Sequence, residues 1–287
     1  MTASIVAALA AASSFAWAAV YQQEAAQSAP ATSSLELRLL FDLLRRPKWI
    51  AGIALLVCGY ALQGVALAFG PVALVQPVVV TELAIAVPIA MWRRHRRAAA
   101  RDWAGIITIL GGVAGFLTLA SPVEGIANPA PLTWVATLTP VTAVTALLVA
   151  AATRVSGRHR AMLLGAAAGA AFGLLAVLTK ATVSELAHSL TGALTSPQPY
   201  LLILAGIAAL VISQSAYQAG PLAYSMPFIA VLEPLLAVLI GDTALNEQVR
   251  LTGAYLAGEA LTAALAAISI VLLATSPTVL SIYDDTR

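Results

Sequence analysis

The sequence predicts an all-α protein: a polytopic membrane helix bundle of about nine transmembrane spans in two inverted repeats. Three observations predict it. The chain is 60% hydrophobic and only 10% charged, with a mean hydropathy of +0.90, whereas a water-facing domain carries roughly 25% charged residues. Its apolar residues gather into runs of about 20, the length that crosses a hydrocarbon core at about 1.5 Å per helical residue. Landmarks of the first half also recur in the second after five spans; the number is odd, so the second copy is upside down.

Span 1 covers 3–22. No Lys or Arg precedes it, so it is expected to stay as a span rather than be cleaved as a signal peptide, although Ala29-Pro30-Ala31 looks like a cleavage site. Residues 23–48 hold a Ser33-x-x-Glu36 capping box, then Leu35, Leu39, Leu40, Leu43 and Leu44 among Arg38, Asp42, Arg45 and Arg46, ended by Pro47. That pattern predicts a short amphipathic helix on the membrane face, with an ordinary loop helix as the alternative. Spans 2 and 3, 49–69 and 71–92, are divided by Gly70-Pro71, a turn without which the pair would be one overlong helix. Spans 4, 5 and 6 cover 103–121, 132–152 and 161–184. Gly220-Pro221 divides span 7 (199–219) from span 8 (221–241), and span 9 covers 251–275.

Loop charge orients these spans. Arg38, Arg45, Arg46 and Lys48 lie in loop 1, Arg93, Arg94, Arg96, Arg97 and Arg101 in loop 3, and Arg154, Arg158 and Arg160 in loop 5. Loops 2, 4 and 6 carry no Lys or Arg, and only Arg250 in loop 8 dissents. Positive loops face the cytoplasm. The amino terminus is therefore expected outside and the carboxyl terminus inside, in the cell (plasma or inner) membrane.

The repeat rests first on its turns. Gly70-Pro71 with Pro77 returns as Gly220-Pro221 with Pro227, and Ala120-Ser121-Pro122 returns as Thr275-Ser276-Pro277. Phe15, Val20 and Gln22-Gln23 parallel Phe172, Val177 and Thr179-Lys180. Residues 1–122 thus form the first repeat (spans 1–4), 123–160 a linking span 5, and 161–287 the inverted second repeat (spans 6–9). Inverted repeats are a recurrent plan of secondary transporters, whose halves rock about a central site. Gly165, Gly169 and Gly173 in span 6, and Ala8, Ala12 and Ala16 in span 1, make small faces that let helix backbones approach.

Ionisable groups deep in a membrane cost roughly 2.5–3.5 kcal/mol on the insertion scale. Glu82 falls in mid-span 3 and Glu233 in mid-span 8, each a few residues after a proline, Pro77 or Pro227; Pro88 and Pro234 add further breaks. Prolines free carbonyls that a cavity can use. The two glutamates are candidates for binding a cation or carrying protons, with a structural carboxylate as the alternative. Gln63, Gln76, Gln214, Tyr217 and Gln218 lie near the same elements, and Ser13, Ser14, Trp17 and Tyr21 lie on span 1. Of these, Gln76, Gln214, Tyr217, Gln218, Ser14 and Trp17 join the candidate substrate-binding set, against the plainer reading of interhelical hydrogen bonds. If the solute is Mg²⁺, Glu82 and Glu233 are the candidate metal ligands. Glu259 is expected to face the bundle interior. Lys180 and Glu185 are expected to snorkel to the interface, Cys58 to be a small buried residue, and His188 to be an ordinary loop residue.

No HExxH, Gly-x-Ser-x-Gly or phosphate-binding loop is present, so an enzyme is not expected and no cofactor is called for. The expected partners are a small-molecule or cation substrate and membrane lipids, with a homodimer left open and no nucleic acid.

Glu233-Pro234, Gly241, Glu247 and Gly253 together resemble the closing signature of the drug/metabolite transporter (DMT) superfamily, EamA type, with the step from Glu247 to Gly253 shorter than usual. Ala11-Ala12-Ser13-Ser14-Phe15 and the run from Ala68 through Phe69-Gly70-Pro71 to Gln76-Pro77 are more similar to the NIPA magnesium-transporter branch, as are the nine spans with an outside amino terminus. The first repeat reads Glu82-Leu83 where the second reads Glu233-Pro234. The resemblance spans nearly the whole chain. It implies a transporter of a small solute by alternating access, with Mg²⁺ transport as the alternative; a lipid flippase or membrane scaffold is the alternative from another class.

Overall fold

The computed structural model describes residues 1–27, 44–93, 95, 99–120, 122–126, 128–220 and 222–247, with single positions at 258, 261, 264, 265, 268, 269 and 272. The 33–46 segment apart from its last three residues, Arg38, Arg94, Arg96, Arg97, Arg250, Glu259 and most of span 9 lie outside the described residues.

The helices are α1 (Thr2–Gln27), α2 (Pro47–Ala68), α3 (Val72–Val79), α4 (Glu82–Arg93), α5 (Ala100–Ala120), α6 (Pro131–Ala152), α7 (Gly157–His188), α8 (Leu190–Thr195), α9 (Gln198–Ala219) and α10 (Leu222–Leu245). Taking α3 and α4 as one crossing, eight segments among the described residues are long and apolar enough to cross a membrane. The protein is a polytopic helical membrane protein. The expected bounds hold closely, with two differences. Span 3 is two helices rather than one. Span 6 becomes a 32-residue helix, α7, about 48 Å long, which overshoots the ~30 Å hydrocarbon core and ends at His188, whose Nδ1 lies 2.7 Å from the Ser184 carbonyl.

Helix α1 packs on α2 and on the α3–α4 pair, while α7 packs on α9 and α10. The two groups meet where α3 touches α10 and α2 touches α7; α6 lies against the outside of α7. Lipid is as apolar as a side-chain core, so helices associate through close packing rather than exclusion from water. That is what the glycine face of α7 supplies. A Cβ at Gly165 would sit 2.6 Å from the Ser225 carbonyl oxygen, one at Gly169 2.9 Å from that of Phe228, and one at Gly173 2.8 Å from that of Glu233. The α7 and α10 backbones are in contact along three turns. Gly165→Val is expected to force them apart at a cost of about 1–3 kcal/mol, read as a lower melting temperature of the purified protein; an unchanged value would mean the contact is slack.

Cys58 departs from expectation: it is exposed. The buried side of α2 carries Gly52, Gly59, Gln63 and Gly64, and Cys58 lies off it, next to exposed Val57. In a membrane protein the lipid face is as apolar as the core, so an apolar run does not mark the inward side.

Candidate functional site

The site begins with a broken helix. Pro77 has no N–H and cannot continue the hydrogen-bond ladder of α3. After it, Thr81 N bonds the Val78 carbonyl and Leu83 N the Val80 carbonyl, a tighter i→i+3 pattern. The chain restarts as α4 with Glu82 as its first residue, where the helix dipole favours a carboxylate. Across the bundle, α10 stays continuous through Pro227 and Pro234, which leave the carbonyls of Ala223 and Ala230 without their usual helical donors. Glu233 sits between those two prolines.

Glu82 and Glu233 line one cavity. Its walls are Phe15, Ala19 and Gln22 of α1, Leu56 and Tyr60 of α2, Phe172 of α7, Leu210, Ser213 and Tyr217 of α9, and Met226 and Ile229 of α10. No Lys, Arg or His is among these lining residues. The cavity measures about 70 Å³, room for a few waters at roughly 10–15 Å³ each.

The structure brings together only part of the sequence-predicted set. Glu82, Glu233 and Tyr217 face the cavity. Gln214 stands at its margin, donating from Nε2 to Gln22 Oε1 at 3.0 Å and so tying α9 to α1. Ser14 instead donates to the Leu55 carbonyl at 2.8 Å, an α1–α2 bond. Trp17 packs on Tyr21, whose ring carries the Arg93 guanidinium 4.9 Å from its centre. Gln76 and Gln218 are away from the cavity lining, and both amide atoms of Gln218 are buried with no hydrogen-bond partner among the described residues. The sequence reading missed Tyr60, Ser213, Phe15, Phe172 and Met226 as lining. Ser213 had a signal, since it lies one helical turn before Tyr217 on the same face; Tyr60 and the phenylalanines had none, because an aromatic in a span reads as packing.

Lys180 departs most from expectation. It does not snorkel: it is 6% exposed, and its Nζ bonds Glu247 Oε1 at 2.9 Å and the Gly70 carbonyl at 3.2 Å. Glu247 also accepts from Val72 N at 2.8 Å and Ala73 N at 3.0 Å, capping α3. A cation and two helix N-terminal amides saturate one buried carboxylate. Each charge thus finds its partners where it lies, and Lys180 does not reach the interface. Gly241 makes the turn compact: its carbonyl accepts from Glu247 N at 3.0 Å, and a Cβ there would stand 2.8 Å from Glu247 Oε2.

The opposite end of the bundle carries a wetter ion cluster. Glu24 accepts from Arg93 at 2.8 and 3.0 Å and from Lys48 at 2.9 Å. Burial works to raise the Glu24 carboxyl, but hydrogen bonds from Arg93 and Lys48 and their charges outweigh it and hold it below its ordinary value of 4.5. A lowered carboxylate contributes stability above its unfolded value and loses it as pH falls through the folded one. Glu24→Gln is expected to destabilise by up to about 1 kcal/mol near pH 7, the range of solvent-screened pairs. The difference from wild type should shrink as thermal unfolding is repeated below pH 4.5; a pH-independent difference would assign the effect to packing.

No family model matches the chain, and no solved structure matches it. An uncharacterized protein of Corynebacterium glutamicum is 33% identical over 244 residues, covering 84% of each chain. At that identity and coverage, the chain belongs to the same family as this corynebacterial protein.

Proposed function

We propose that the chain is a transporter of the drug/metabolite superfamily, moving a small solute across the cell membrane by alternating access. The observation that carries this reading is the meeting of Glu82 and Glu233, from α4 and α10, in one cavity inside the bundle. An intramembrane carboxylate is costly, and one with no basic residue among the described lining points to a solute or proton path. The packing supports the inverted repeat: α1 meets α2 and α3–α4 as α7 meets α9 and α10. In this reading those groups are the two halves that rock, the amino terminus lies outside and the Gly70-Pro71 turn faces outward.

Two acids, two tyrosines and no basic residue among the described lining residues favour a cation, or a solute exchanged for protons. The size of the cavity favours the NIPA-like alternative. About 70 Å³ suits a partly hydrated Mg²⁺, which binds through one or two carboxylates and keeps several waters; an organic solute needs some hundreds of Å³ and hence a wider state. The flippase reading has less support. A cleft of about 450 Å³ between α6, α7 and α10 is lined by Thr133, Pro140, Val144, Leu239 and similar residues, with no ionisable group among the described lining residues to hold a lipid headgroup.

The test is Mg²⁺ flux into proteoliposomes, comparing wild type with the Glu82→Gln, Glu233→Gln double variant. Saturable flux lost in the double variant supports cation transport at this site. No flux above empty liposomes, from folded protein, rejects the magnesium reading; organic cations under an imposed proton gradient then test the broader one.

A further inference from the structure

The bundle is fastened differently at its two ends. At the Glu24 end the ion pair is partly wet, with side-chain exposures of 25% for Arg93 and 18% for Glu24. At the Gly70 end the pair is dry, with 7% for Lys180 and 0% for Glu247. The pairs also join different things. Glu24, Lys48 and Arg93 all belong to the α1–α4 group. The Lys180–Glu247 pair ties α7 and the turn after α10 to Gly70, Val72 and Ala73, and so clamps one group of helices to the other.

A second observation concerns the path from cavity to clamp. Along α2, Gln63 lies one turn beyond the cavity residue Tyr60, towards Gly70. Along α3, Gln76 lies between the capped amides at Val72–Ala73 and Glu82. Gln63 is 0% and Gln76 1% exposed. Neither amide atom of Gln63, nor Gln76 Nε2, has a hydrogen-bond partner among the described residues. A buried polar group left unpaired costs about 1–3 kcal/mol, and such groups call for an explanation. Contact with water in a second conformation supplies one: along their helices both amides stand between a cavity residue, Tyr60 or Glu82, and the Gly70 turn.

We propose that the Lys180–Glu247 pair, seated on the α3 N-terminus, is the gate at the Gly70 end. The pair parts from Gly70 and the α3 N-terminus when the central cavity opens to that face, and Gln63 and Gln76 then line the wetted path. The proposal rests on the transport reading above. Glu247 is suited to the role because it holds Lys180 of its own helix group and the Val72 and Ala73 amides of the other, so relative movement of the groups breaks its bonds to α3, and Lys180's to Gly70, together.

The experiment is cysteine accessibility in lipid nanodiscs with a water-soluble maleimide. Cys58 is the chain's single cysteine, so Cys58→Ala gives a clean background. Two reporters are used, Gln63→Cys on the proposed path and Trp49→Cys, buried at the Glu24 end of α2. Glu247→Gln and, separately, Lys180→Gln are expected to speed labelling of the Gln63→Cys reporter about tenfold or more, with the Trp49→Cys reporter unchanged. No acceleration in either lock variant, or equal acceleration at both reporters, overturns the gate and makes the pair a general brace. Should neither lock variant fold, the protein with the pair intact decides. Labelling of Gln63→Cys faster than global unfolding supports opening at that end, and labelling only at the unfolding rate overturns it. Failure of the transport reading would show separately, as absent flux in proteoliposomes with gate labelling as expected.

Discussion

Lys180→Met is expected to destabilise the protein by about 3–5 kcal/mol, because it leaves the Glu247 carboxylate buried without its cation. The backbone amides of Val72 and Ala73 would remain as its donors, which sets the loss towards the lower part of that range. Glu247→Gln should cost a similar amount, since Lys180 would retain only the Gly70 carbonyl and a neutral amide oxygen. The informative quantity is the double variant. Lys180→Met with Glu247→Gln removes both charges, so its loss should fall well short of the sum of the singles. Reversible unfolding in mixed micelles, followed for all four proteins, measures this. Additive losses would show that the two side chains do not act as a pair. The reporter experiment asks whether the pair parts from α3; this cycle asks what it contributes while closed.

Flux is expected to fall at least about 100-fold in the Glu82→Gln, Glu233→Gln double variant, with each single variant accounting for most of the loss. Groups that act on one solute as a unit are strongly non-additive. The two carboxyls share a cavity of about 70 Å³, so in the transport reading one solute would meet both. Glutamine keeps the size and a hydrogen-bonding head while removing the charge and the exchangeable acid. A loss caused by glutamine is therefore a loss of charge or protonation rather than of shape. The folded state of each variant is checked by its melting temperature, which should change little, since Gln is less costly than Glu to place in the bundle. Flux that survives in the double variant would remove the two glutamates from the solute path and leave Tyr60, Ser213 and Tyr217 as the next residues to vary.

The helical plan was legible because the membrane imposes it. Apolar runs of span length leave the backbone no choice but to satisfy itself as helix, and the observed bounds of α2, α5, α6 and α9 fall within a few residues of the runs. Gly70-Pro71 marked the division between α2 and α3 because glycine and proline break a ladder by covalent structure alone. The two mid-span acids were legible for the complementary reason: a carboxylate stands out against lipid-like neighbours. Sequence determined the membrane class, the turns, the glycine face of α7 and the candidates Glu82 and Glu233.

Only the tertiary structure decided what those residues meet. Lys180 and Glu247 are 67 positions apart, and Glu247 reaches α3 across 175; no local pattern encodes either partner. A lysine near the end of a span is equally consistent with snorkelling and with a buried pair, and the choice turns on whether a carboxylate from another helix arrives at the same depth. Gln214 was set with the solute-binding candidates, yet its nearest named partner is Gln22 of α1. Tyr60 entered the cavity without any sequence signal. In water, burial and polarity are correlated along a helix, so periodicity reveals the inner face. In lipid both faces are apolar, and that correlation is lost, which is why Cys58 could face outward from the same run that sends Gln63 inward.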